Sequence, residues 1–145
     1  MPKRNIPRSA TKTYNETNIV PLTAIQQQLA GLVGGRKTLY LALKYYYRDF
    51  QCFSEWERDE LRQFSSTSET VCQLTVTELF RHRGLVPKSH RTEPKTAIPA
   101  NLQQHLSQVT FTELRVTQKA RIHGFIVDPI FFLVWLDRNH EVFPD

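Results

Sequence analysis

The residues that could do chemistry gather near the end of this 145-residue chain. Arg115, Arg121 and His123 stand in the stretches FTELRV and ARIHGFIV, and Asp137, Arg138, Asn139 and His140 follow the apolar run IFFLVWL. Guanidinium groups and an imidazole on one surface can hold a phosphate and move a proton to or from it. Imidazole is the side-chain type suited to exchanging protons near neutral pH, so His140 is the candidate acid or base, and Asp137 stands where a carboxylate could orient it. Lys119, between Arg115 and Arg121, adds a further cation. The competing interpretation is structural. Arg115, Arg121 and His123 would lie on a solvated sheet face with cross-strand pairs such as Glu113 with Arg121, and residues 137–140 would be a polar turn.

Other constellations are weaker. Five histidines, His82, His90, His105, His123 and His140, occur without HxxxH, HExxH or CxxC spacing, so no metal site is read. Cys52 and Cys72 suit neither a disulfide framework nor a metal pair and read as buried hydrophobes. There is no GxGxxG and no GxxxxGK[ST], and no cofactor is expected. Tyr45, Tyr46 and Tyr47 could stack bases, but packing in a sheet is the commoner use of such residues.

The elements that must position the candidate residues are legible in the hydrophobic pattern. FTELRV and ARIHGFIV alternate as strands with one buried face. Leu114 and Val116 point one way, and Glu113 and Arg115 the other. Ile122, Gly124 and Ile126 oppose Arg121, His123 and Phe125, and the face with Arg115, Arg121 and His123 is expected to be exposed. Residues 130–136 are apolar on both faces, the pattern of a covered central strand. Short connections at 117–118 and 128–129 make these three an antiparallel meander.

Upstream, residues 21–33 have Leu22, Ile25, Leu29 and Leu32 at helical spacing, ended by Gly34-Gly35. Residues 36–47 alternate as a strand, although a helix would also accommodate them. Capping boxes are read at 54–57 and 75–78. The first opens a helix softened at 65–68 and continued by a second short helical stretch. The next runs toward Gly84. Residues 85–100, with Pro87, Pro94 and Pro99, read as an extended basic loop carrying Lys88, Arg91 and Lys95. Residues 101–109 form a helix leading into the meander. The expected fold is α+β, a small antiparallel β-meander at the C-terminus with helices packed on one face.

Composition bounds the rest. No run of about 18 apolar residues exists, so no membrane partner is expected, and the start of the chain lacks the apolar core of a secretory signal. A reduced, cytoplasmic chain follows. The formal charge is +5, unevenly placed. Lys3, Arg4, Arg8 and Lys12 precede any acidic residue, so residues 1–18 read as a disordered basic arm and residues 19–145 as a single α+β domain. Residues 49–78 are rich in acids, whereas 81–121 carry eight bases against Glu93 and Glu113. That segregation suits a polyanion-facing surface, with the arm, Lys88, Arg91, Lys95 and Lys119 as nucleic-acid-binding positions. A solvated charge run would look the same.

The helices leading into ELRVTQKARIHGFIVDPIFFLVWLDRNHEVF resemble the RelE/ParE family of bacterial toxins over about residues 54–145. The resemblance implies a RelE-like fold and a role in a prokaryotic toxin–antitoxin or defence system. It implies binding to RNA and metal-independent endoribonuclease activity, with an antitoxin or other protein as partner. In that activity a ribose 2′-hydroxyl attacks the adjacent phosphate. His140 or His123 serves as general acid or base, Asp137 orients His140, and Arg115, Arg121 and Arg138 stabilise the phosphorane. Arg115 and Arg121 match the family's strand arginines, and His140 with Phe143 its C-terminal pair, although Phe143 offers no phenol. Residues 1–48 have no counterpart in the family. The alternatives are a non-catalytic module that binds nucleic acid or an acidic partner, and a regulatory subunit whose acidic residues 54–78 face a partner.

Overall fold

The structure, a computed structural model, describes residues 21–143. The basic arm with Lys3, Arg4, Arg8 and Lys12 lies outside the described residues. The chain divides into two compact units, Met1–Gly34 and Gly35–Asp145. The first contains α1 (Ala24–Leu29), opened by a capping box in which Thr23 and Gln26 satisfy each other's backbone amides.

The second unit holds a five-stranded mixed sheet with its helices. In chain order its elements are β1 (Tyr40–Ala42), α2 (Arg58–Val71), α3 (Val76–Arg81), β2 (Lys88–His90), α4 (Ala100–Gln103), β3 (Phe111–Arg115), β4 (Arg121–Val127) and β5 (Ile130–Asp137). The strand order is β1-β5-β4-β3-β2. The meander β3-β4-β5 is antiparallel, as its alternation and short connections require. Among the described residues, the pairing of β1 with β5 is the parallel one.

The fold departs from expectation at several points. Residues 85–100 are not simply a loop, because Lys88–His90 pairs antiparallel with β3 and forms an edge strand. The strand signal of residues 36–47 yields only Tyr40–Ala42. The capping box of α2 is Glu57 with Glu60, one turn later than the Ser54–Glu57 pattern, which instead sits in a 3-10 turn at Phe53–Glu55. The helix then runs unbroken to Val71, with Ser68 and Thr70 turning their hydroxyls back onto the carbonyls of Phe64 and Ser66. The helical signal at 101–109 resolves into α4 and a 3-10 turn at Leu106–Gln108. Cys72 is exposed and Cys52 half-buried, so neither is a core residue.

Above all, both faces of the sheet are covered. On one, Leu114, Ile122, Phe131, Leu133 and Leu136 pack with Val71 of α2, Leu79 of α3 and Trp56. On the other, Phe111, Phe125 and Trp135 pack with Leu102 of α4, Val142 and Phe143, flanked by Tyr45, Tyr47 and Ile98. Tyr45 packs on Phe125 and Phe132 at ring separations of 5.5 and 5.3 Å, the packing use of the tyrosine run. Gly124 is required by close approach. A Cβ there would come within 2.1 Å of the Phe132 carbonyl oxygen, beside the register shift at His123/Gly124. No helix among the described residues is long and apolar enough to cross a membrane.

Candidate functional site

Strand register brings the polar residues together. Lys88, Glu113, His123 and Trp135 face one another across β2, β3, β4 and β5. Two residues along the strands, Arg115, Arg121 and Asp137 form the adjacent row on the same face. His90 follows Lys88 by two and so shares that face.

This face is buried, contrary to the exposed face expected for Arg115, Arg121 and His123. His123 is 0 % exposed and Arg121 8 %; of these three, Arg115, at the end of β3, reaches solvent. The cover comes from segments with no periodicity of their own. After β5 the chain reverses at His140, whose φ of 56° lies in the left-handed region and costs about 1–2 kcal/mol for a residue with a Cβ. Asp137 holds the reversal, its Oδ1 accepting the Glu141 amide at 2.8 Å and its Oδ2 the Val142 amide at 3.0 Å. Phe143 is thereby laid against the His90 ring, stacked at 4.2 Å, and against His123 at 5.2 Å. Residues 95–97 complete the cover, with the Lys95 amide donating to the Val142 carbonyl at 2.8 Å and the Trp135 indole to the Ala97 carbonyl at 3.1 Å.

The centre of the cluster is Glu113, 4 % exposed. Its Oε1 lies 2.8 Å from His140 Nε2, 3.2 Å from His90 Nε2 and 4.0 Å from His123 Nδ1. Its Oε2 lies 3.6 Å from Arg121 Nε. A carboxylate so buried costs several kcal/mol unless paired, and His140, His90 and Arg121 supply the pairing. The cross-strand Glu113–Arg121 pair is therefore present, but inside the protein.

Asp137 orients His123 and not His140. Its Oδ2 lies 2.8 Å from His123 Nε2, and both side chains are fully buried. Burial pushes the Asp137 carboxyl up, but the contacts with His123, the Glu141 amide and the Val142 amide outweigh it and hold the group below the usual carboxylate range. An ionised carboxylate only accepts, so the proton belongs on His123 Nε2. Nδ1 then points toward Glu113 with no hydrogen-bond partner. Burial also pushes the His90 imidazole below its ordinary value, against the opposing effect of Glu113.

The other candidate residues separate. Arg138 is drawn away to α2, where its Nε donates to both Glu60 oxygens at 2.8 and 3.1 Å and its guanidinium lies 3.6 Å from Glu57. Arg121 commits one Nη to the carbonyls of Thr117, Gln118 and Ala120, which ties down the β3–β4 turn. Lys119, in that turn, and Lys88, Arg91 and Lys95 are exposed. Arg91 and His90 border an open cleft of about 830 Å³ with Pro94, Ile98, Leu106 and Phe111. Phe143, paired with His140 by the family resemblance, is a fully buried packing residue.

Glu113 and His90 were absent from the candidates read in the sequence. Glu113 was signalled by its place in FTELR, on the same face as Arg115. His90 had no local signal, since its strand exists only by pairing with β3. The assembled groups can relay a proton along His140, Glu113 and His90. They also include a ligand set for a metal, because His90, Glu113 and His123 each offer one donor atom, all within 4.8 Å of one another. Compared with protein-family models, with curated proteins and with solved structures, the chain gives no match.

Proposed function

We propose that this chain is a RelE-like RNA-binding protein that cleaves RNA at the Glu113–His140 corner of its sheet, as a toxin restrained by a protein partner. The supporting observation is the convergence of His140, partly open to solvent, with buried Glu113 and Arg121, beside the exposed Arg115. The ribose 2′-hydroxyl supplies the nucleophile. Its oxygen bonds to phosphorus while His140 takes its proton, the bond from phosphorus to the 5′-oxygen breaks, and that oxygen leaves with a proton from the conjugate acid or water. The products are a 2′,3′-cyclic phosphate and a 5′-hydroxyl. Arg115 meets the charge on the phosphorane. Glu113 orients His140, while Arg121 positions Glu113. Arg138, tied to α2, takes no part. Lys88, Arg91, Lys95 and Lys119 form the surrounding surface for the RNA backbone.

One observation favours the non-catalytic alternative. His140 is already bonded to Glu113 at 2.8 Å, which suits a structural imidazole in a module that only binds nucleic acid. Incubating the full chain with single-stranded RNA separates the two. For the enzyme, His140→Ala and Arg115→Ala each lower cleavage by roughly 10²–10⁴-fold with little change in Tm. RNA binding that weakens steeply with salt, without cleavage, would leave the binding module. Full cleavage by both variants would refute the proposed roles.

A further inference from the structure

We propose that His90 Nε2, Glu113 Oε1 and His123 Nδ1 bind one divalent transition-metal ion, of the zinc class, with Asp137 as the carboxylate that orients His123. The proposal goes beyond RNA cleavage and requires no RNA. It rests first on an orphaned atom. His123 Nδ1 is buried without a hydrogen-bond partner, although its side chain is 0 % exposed. Buried nitrogens without partners are rare because each forfeits its hydration. With Nε2 held by Asp137 at 2.8 Å, Nδ1 presents its lone pair. A carboxylate on one imidazole nitrogen that leaves the other bare is the arrangement found behind metal-bound histidines.

The second support is separation. Two donors about 2.0–2.1 Å from a tetrahedral ion lie about 3.3 Å apart. Glu113 Oε1 is 3.2 Å from His90 Nε2 and 4.0 Å from His123 Nδ1, and all three donors lie within 4.8 Å of one another, so rotation of the side chains toward a common point brings the three around one ion. Two imidazoles and a carboxylate suit zinc better than calcium or magnesium, which take oxygen donors. The third support is fixation. The His90 ring is stacked on Phe143, and Glu113 and His123 stand opposite each other on β3 and β4. Ligands on rigid strands lose little freedom on binding.

His140 lies 2.8 Å from the same Glu113 oxygen, a hydrogen-bond separation shorter than two ligands of one ion would keep, so it stands outside the set. With the ion in place Glu113 Oε1 would become a ligand instead of the partner of His140.

The test uses the full chain, stripped with a chelator and titrated with Zn²⁺ by calorimetry and by competition with a chromophoric chelator. Co²⁺ provides a visible spectrum. One equivalent should bind, with the absorption of a four-coordinate Co²⁺ site. His90→Gln, at the sheet edge, should weaken binding by roughly 100-fold or more, and Asp137→Asn by roughly 10–100-fold, with circular dichroism unchanged. His140→Ala should retain the stoichiometry and affinity of the parent chain. Failure of the parent chain to bind stoichiometrically would overturn the proposal, as would full affinity in folded His90→Gln. Loss of binding in His140→Ala equal to that in His90→Gln would overturn the ligand assignment. None of these readouts uses RNA, so they stand or fall apart from the cleavage proposal.

Discussion

Replacing Asp137 with alanine probes the group that ties the C-terminal cover of the site to the sheet. Its carboxylate is fully buried and accepts from His123 Nε2, the Glu141 amide and the Val142 amide. Glu141 is exposed, so water can satisfy its amide after the substitution. Val142 and His123 are 1 % and 0 % exposed, and their donors are left bare. A buried donor left unsatisfied costs about 1–3 kcal/mol, so two cost roughly 2–6 kcal/mol, and a small domain has only about 5–15 kcal/mol in total. Asp137→Ala should therefore lower stability by about 3–5 kcal/mol and Tm by roughly 12–20 °C. Asp137→Asn keeps the size and one acceptor and should lose about 1–2 kcal/mol. Urea unfolding at neutral pH, followed by tryptophan fluorescence, measures both. A loss below about 1 kcal/mol in the alanine variant would show that the pair does not hold the C-terminal segment in place.

Other consequences are as direct. Gly124→Ala drives a Cβ against the Phe132 carbonyl and should cost about 1–3 kcal/mol or prevent folding, as read by the urea midpoint and soluble yield. Acid should weaken the fold in two steps, because both shifted groups of the cluster bind protons more readily when unfolded. The depressed His90 value withdraws stability as pH falls through and below about 6.5, and the depressed Asp137 value withdraws more as pH falls below about 4. Urea midpoints against pH should show the upper step shrinking in His90→Gln and the lower step shrinking in Asp137→Asn. Arg138→Met removes a part-exposed pair with Glu60 and should cost about 1 kcal/mol in thermal melts while leaving RNA cleavage unchanged.

Much of the sheet was determined locally. The alternation of FTELRV and ARIHGFIV and the unbroken apolar run 130–136 specify three strands, because a pleated backbone sorts successive side chains to opposite faces whatever surrounds it. The same periodicity assigns Arg121, His123 and Phe125 to one face. It says nothing about whether that face meets water. The answer lay in residues 95–97 and 138–143, which have no periodicity and fold over the face through single hydrogen bonds and the Phe143 ring.

The partners of the candidate residues were beyond sequence for the same reason. Arg138 adjoins Asp137 in the chain but bonds to Glu60, 78 residues away. Glu113 meets His90 across 23 residues and His140 across 27, and His123 meets Asp137 across 14. Spacing motifs capture ligands and relays carried on one helix or loop, where the chain itself sets the distance. Here β2 acquires its strand geometry only by pairing with β3, and the C-terminal turn reaches the cluster only once Asp137 is buried. The sequence alone determined which side chains share a face; long-range pairing and cover decided that they enclose Glu113 rather than line an open surface.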